Sequence, residues 1–127
     1  MVFLYPFLGG TTKTVNILGT DYNIHFVDEF PDYLSEVGEN AGGLCNRHDR
    51  DIWIKRCNDK DMTATGRERC DKDVLRHEII HAYLSESGLS ANASHCYGSW
   101  AENEEMVDWF AIQSPKIFQT FKEVDCL

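Results

Sequence analysis

Between Lys72 and Gly88 apolar residues recur at helical spacing, and inside that stretch stands His77-Glu78-Ile79-Ile80-His81. Val74, Leu75, Ile79, Ala82 and Tyr83 keep the helical period, so a helix over 72–87 is expected. Asp71 is the expected cap, and Gly88 the left-handed stop. Residues four apart lie slightly more than one turn on, so both imidazoles project from the same face. Two neutral imidazoles so placed can bind one Zn²⁺ at about 2.0–2.1 Å each. Glu78 points roughly 100° away from His77 around the helix. It therefore stands beside such an ion rather than on it, where it can take a proton from water.

A catalytic zinc needs three protein ligands and an open position. The other histidines are His25, His48 and His95, and none follows His81 at short spacing. A second helix, over 100–114, supplies acids instead. Ser99 and Glu102 fit a capping box at its start, and Pro115 is expected to end it. Glu104 and Asp108 are four apart and share a face. Glu104 is the expected third ligand. Asp108, one turn on, is the expected acceptor for the second ring N–H of a ligand imidazole, His77 foremost. Glu102 is accounted for by the cap, and Glu105 lies on another face. The connector from Leu89 to Ser99 is small and polar, hence a loop. His95 and Tyr97 in that loop are candidate oxyanion donors. Tyr83 is a further candidate, although packing suits it better.

The remainder reads as a small sheet. Residues 14–18 and 22–27 are β-prone and flank Gly19-Thr20-Asp21, a hairpin turn. Residues 41–46 and 52–57 form a second strand pair around a polar turn. Ile52-Trp53-Ile54 reads equally well as a core strand or as a cleft wall that pairs with an extended peptide. A short helix is expected over 30–37, a polar surface loop over 58–70, and a last short helix over 116–124 that packs Ile117, Phe118 and Phe121 on the core. The fold class is therefore α+β, with a small, mostly antiparallel sheet against two helices. A length of 127 residues suits one domain. The apolar opening MVFLYPFLGG lacks a basic n-region and reads as an extra strand or a disordered lead-in.

The formal net charge of −9 repels a phosphate backbone, so nucleic acid is not an expected partner. No apolar run is long enough to span a membrane. The five cysteines include no CxxC pair and read as reduced thiols of a cytoplasmic protein. A structural zinc site from Cys45, His48, Cys57 and Cys70 would match no common spacing.

HExxH followed by NExxxD on a second helix resembles the gluzincin arrangement of thermolysin-like peptidases. Glu104 to Ala111 also resembles the E-x-x-A-(N/D)-x-F-A segment of the ImmA/IrrE-like metallopeptidases of phages and bacteria, with Val107 where that family often has Ala. The resemblance covers about 72–120, and no helix-turn-helix segment accompanies it. It implies a zincin-like domain with His77, His81 and Glu104 as zinc ligands, Glu78 as catalytic base and Asp108 behind a ligand histidine. The implied activity is zinc-dependent hydrolysis of a peptide bond in a protein substrate. The alternative is a catalytically silent zincin-fold binding or regulatory protein, and a metal-free helical interaction module is a third reading.

Overall fold

The computed structural model describes residues 12–34, 41–91 and 99–127. Strands β1 (Lys13–Ile17) and β2 (Thr20–Val27) form an antiparallel hairpin. Its turn is Leu18-Gly19, both at positive φ (51° and 92°), the two-residue form whose twist matches the strands. Gly19 N–H donates to Asn16 Oδ1 at 2.9 Å and pins it. The turn is thus one residue earlier than the expected Gly19-Thr20-Asp21.

Strands β3 (Gly43–Asn46) and β4 (Asp51–Lys55) complete a sheet of order β1-β2-β4-β3. The β1–β2 and β3–β4 pairings are antiparallel, whereas β2 and β4 run parallel with Ile24 opposite Ile52. The sheet is therefore mixed. Alternation along the strands sends Ile17, Tyr22, Ile24, Phe26, Ile52 and Ile54 to one face, where they are buried against Ala82, Val74, Leu75 and Ile79.

Those last four residues belong to helix α1 (Ala64–Glu86). Its expected start near Lys72 is corrected to Ala64. Thr63 is the cap, its side chain accepting Gly66 N–H at 3.0 Å. The polar run 58–70 reads as loop by composition, yet its second half holds good helix formers. Glu68 pairs with Lys72 at 2.7 Å across one turn. Asp71, the expected cap, is instead buried inside α1 and accepts Cys57 N–H at 2.8 Å. The C-terminal end is as expected, with Gly88 at φ 85°. Tyr83, expected on the packed surface, is exposed.

Helix α2 (Glu104–Glu123) packs on α1 through Val107 and Ala111, both buried. Asn103, not Ser99, caps it, accepting Met106 N–H at 2.9 Å, while Trp100–Glu102 form a 3-10 turn. Pro115 does not end α2, which runs through it and absorbs the expected last helix. Proline has no N–H for the carbonyl four residues back. That carbonyl, Ala111 O, is taken by Arg76 Nε of α1 at 2.7 Å. Phe118 and Phe121 are exposed rather than packed on the core. Asp32–Leu34 form a 3-10 turn where a helix over 30–37 was expected, and 35–37 lie outside the described residues.

Candidate metal centre

His77 and His81 project from α1 toward the start of α2, as their spacing requires. Their Nε2 atoms stand 3.1 Å apart. Glu104, the first residue of α2, brings Oε2 within 3.0 Å of His77 Nε2 and Oε1 within 3.2 Å of His81 Nε2. Asp108, one turn on, takes the opposite nitrogen: Oδ1 lies 2.6 Å from His77 Nδ1. A carboxylate at Nδ1 favours the tautomer in which Nε2 is the nitrogen able to ligate a metal.

Glu78 points elsewhere, toward the sheet. It is 6% exposed, and its Oε1 is 4.0 Å from His77 Nε2. Burial pushes its carboxyl up to about 7, and the charges of Glu104 and Asp108 add to the rise; His77 and a backbone hydrogen bond from Cys45 oppose it. His77, Glu78 and His81 each offer a ligand atom within 4.8 Å of one another and could hold a metal ion.

The donors suit such an ion. Four donors at about 2.0–2.1 Å around a tetrahedral Zn²⁺ stand roughly 3.3–3.4 Å apart. The 3.0–3.2 Å separations among the His77, His81 and Glu104 atoms lie within a few tenths of that spacing. Two imidazoles and a carboxylate are also a donor set of catalytic zinc sites.

A cleft of about 720 Å³ opens beside these residues. One wall is β3, with Gly43, Leu44 and Cys45, and the other carries His77, Glu78, His81 and Glu104. Periodicity gave no hint of Gly43. A Cβ there would lie 2.7 Å from Val74 Cγ1 and 2.9 Å from Glu78 Cγ, so only glycine lets β3 approach Glu78 this closely. The one signal was a Gly42-Gly43 pair opening a strand, where glycine marks close backbone approach.

Ile52 and Ile54 are fully buried in β4, between β2 and β3, so β4 is a core strand and the cleft-wall reading of it is corrected to β3. His95 and Tyr97 lie outside the described residues. His25 is on the outer face of the sheet, bonded to Asp51 at 2.9 Å and stacked on Trp53. The set Cys45, His48, Cys57 and Cys70 does not converge among the described residues. Cys45 sits by Glu78 in the cleft, and only Cys57 and Cys70 meet.

No family model, no curated protein and no solved structure matches this chain.

Proposed function

We propose that the chain is a zinc-dependent peptide-bond hydrolase of zincin-like type acting on a protein substrate. One observation carries this reading: two imidazole nitrogens and both oxygens of a carboxylate from a separate helix lie within 3.0–3.2 Å, with Glu78 beside them in a cleft. His77, His81 and Glu104 would hold the ion, which when bound supplies Lewis acidity that acidifies a water and polarises a carbonyl. Glu78 accepts the water proton and returns it to the leaving amine. Burial raises this carboxyl, which makes it a stronger base for that proton. Asp108 keeps His77 in the tautomer whose Nε2 is free. Among the described residues β3 is an edge strand, with β4 on one side only, and it borders the cleft, so an extended peptide can add to it as a strand.

The test compares wild type and Glu78→Gln, both purified without chelator. Each is expected to retain about one metal per chain. Glu78→Gln should lower the rate of peptide cleavage by roughly 10²–10⁴-fold. A fully metal-loaded wild type that cleaves nothing in a broad peptide library overturns the hydrolase reading and leaves the silent, binding one.

A further inference from the structure

The geometry points to Arg47 as a specificity-determining residue, which reads an acidic side chain of a peptide lying along β3, on the Ser85 side of the metal centre. This inference rests on the reading just proposed, in that it takes a peptide to occupy the cleft.

The register of the sheet fixes the direction of the cleft. Tyr22 and Thr20 hydroxyls donate to Glu86 at 2.7 and 2.9 Å, so the start of β2 lies at the C-terminal end of α1. Asn23 pairs with Asp51, and Asp51 with Asn46, so the last residue of β3 lies toward that end too. Gly43, at the opposite end of β3, packs on Val74 and Glu78. β3 therefore runs alongside α1 in the same direction. Asp73, His77, His81 and Ser85, each four residues after the last, line the cleft over three turns of α1, about 18 Å. Arg47 and His48, directly after β3, line it as well, and by this register they stand at its Ser85 end. From Gly43, level with Glu78, to Arg47 is four residues, about 13 Å of extended chain. A peptide paired with β3 has the same pitch, so the residue read by Arg47 lies within about four of the scissile bond.

Arg47 is free to take a ligand. Arg56, Lys72 and Arg76 each have a carboxylate within 3.3 Å. The acids nearest Arg47 in the chain are engaged elsewhere. Asn46 Nδ2 donates to Asp49 Oδ2 at 3.0 Å, and Asp51 is bonded to His25 at 2.9 Å. Among the described residues Arg47 has no ion-pair partner, and it is the one permanent cation lining the cleft. Of the lining acids, Glu104 and Asp108 are on the histidines and Asp73 is paired with Arg76 three turns away, which leaves Glu102. A chain of net charge −9 repels acidic peptides, so a preference for one needs a local cation. The planar guanidinium fork matches a carboxylate with two parallel N–H···O bonds. The remaining acids of the cleft confine that preference to the Arg47 end.

The experiment measures binding of hexapeptides that carry a hydroxamate at one end or the other to the zinc-loaded full chain. The hydroxamate, seated on the metal, sets the register, and Asp, Asn or Lys is placed at each position in turn. At one position Asp should bind about 10-fold more tightly than Asn, the order of a charge-assisted hydrogen bond. The ratio should shrink at roughly 1 M salt, where charges are screened within a few ångströms. Arg47→Glu should reverse the preference to Lys at that same position, and Arg47→Gln should erase it, both with zinc content unchanged. A wild type with no position that favours Asp over Asn overturns the proposal. So does an Asp preference that survives either substitution. If Arg47→Glu does not fold, Arg47→Gln decides. An Arg47-dependent preference in a protein that cleaves no peptide would sink the hydrolase reading alone, whereas cleavage without the preference would sink only the role of Arg47.

Discussion

Cys45 and Glu78 adjoin in the cleft, and the Glu78 charge makes the Cys45 thiol harder to ionise, while the Cys45 backbone hydrogen bond favours the Glu78 carboxylate. Burial pushes the Cys45 thiol up to about 12, and the charges of Glu78 and Glu86 add to the rise. Nucleophilic attack needs the thiolate, so this thiol is inert at neutral pH. Alkylation with iodoacetamide at pH 8, followed by peptide mapping, should label the exposed Cys126 and leave Cys45 unmodified in the folded protein. The sign of the linkage follows from the raised value. The folded state keeps the proton where the unfolded chain has lost it. The contribution of Cys45 to stability is therefore full below about 9 and is lost as the pH rises from 9 to about 12. In Cys45→Ala that part of the alkaline decline should disappear from denaturant titrations.

At the scale of elements, two contacts between distant segments set the shape of the site. The first is β3 against α1. Gly43→Ala adds a methyl 2.7 Å from Val74 Cγ1 and 2.9 Å from Glu78 Cγ. Overpacking of this kind costs about 1–3 kcal/mol, and it should push Glu78 out of position, lowering cleavage without removing metal. The second is Arg76 on Ala111. Arg76→Met leaves a carbonyl in the middle of α2 without a donor, at a cost of about 1–3 kcal/mol. In a Pro115→Ala background the amide at 115 supplies that donor, so the cost of Arg76→Met should fall by about 1 kcal/mol. Equal costs in both backgrounds would show that the guanidinium serves α2 in some other way. These two contacts also mark where the sequence was legible and where it was not. Spacing along one helix identifies His77 with His81, and Glu104 with Asp108, because each pair is local. It is blind to Arg76 meeting Ala111 and to β3 meeting Glu78, since those partners are brought together only by packing. For the same reason Pro115 reads as a stop: nothing near it in the chain reveals that the Ala111 carbonyl finds its donor thirty-five residues away. The start of α1 was missed differently. Its polar first turns rest on the Thr63 cap and on charge pairs rather than on an apolar stripe.

For the whole molecule, the proposed donors are divided between α1 and α2, while the sheet packs on α1 and supplies the cleft wall. A cation bound by both helices stabilises the folded state by mass action. At a free Zn²⁺ concentration a thousand times the dissociation constant, the gain is about 4 kcal/mol. Each kcal/mol raises the melting temperature of a domain this size by roughly 2–8 °C. Calorimetry with Zn²⁺ and with a chelator should show that rise in wild type and not in His77→Ala. An equal rise in the variant would mean that the ion stabilises the fold elsewhere. The same division has a consequence in time. The denatured polypeptide keeps only the neighbouring imidazoles of α1 and grips zinc weakly. The carboxylate of Glu104 arrives when α2 docks. A fluorescent indicator competing for the ion during refolding would therefore act as a stopwatch for that docking, recording when the last layer of the molecule closes.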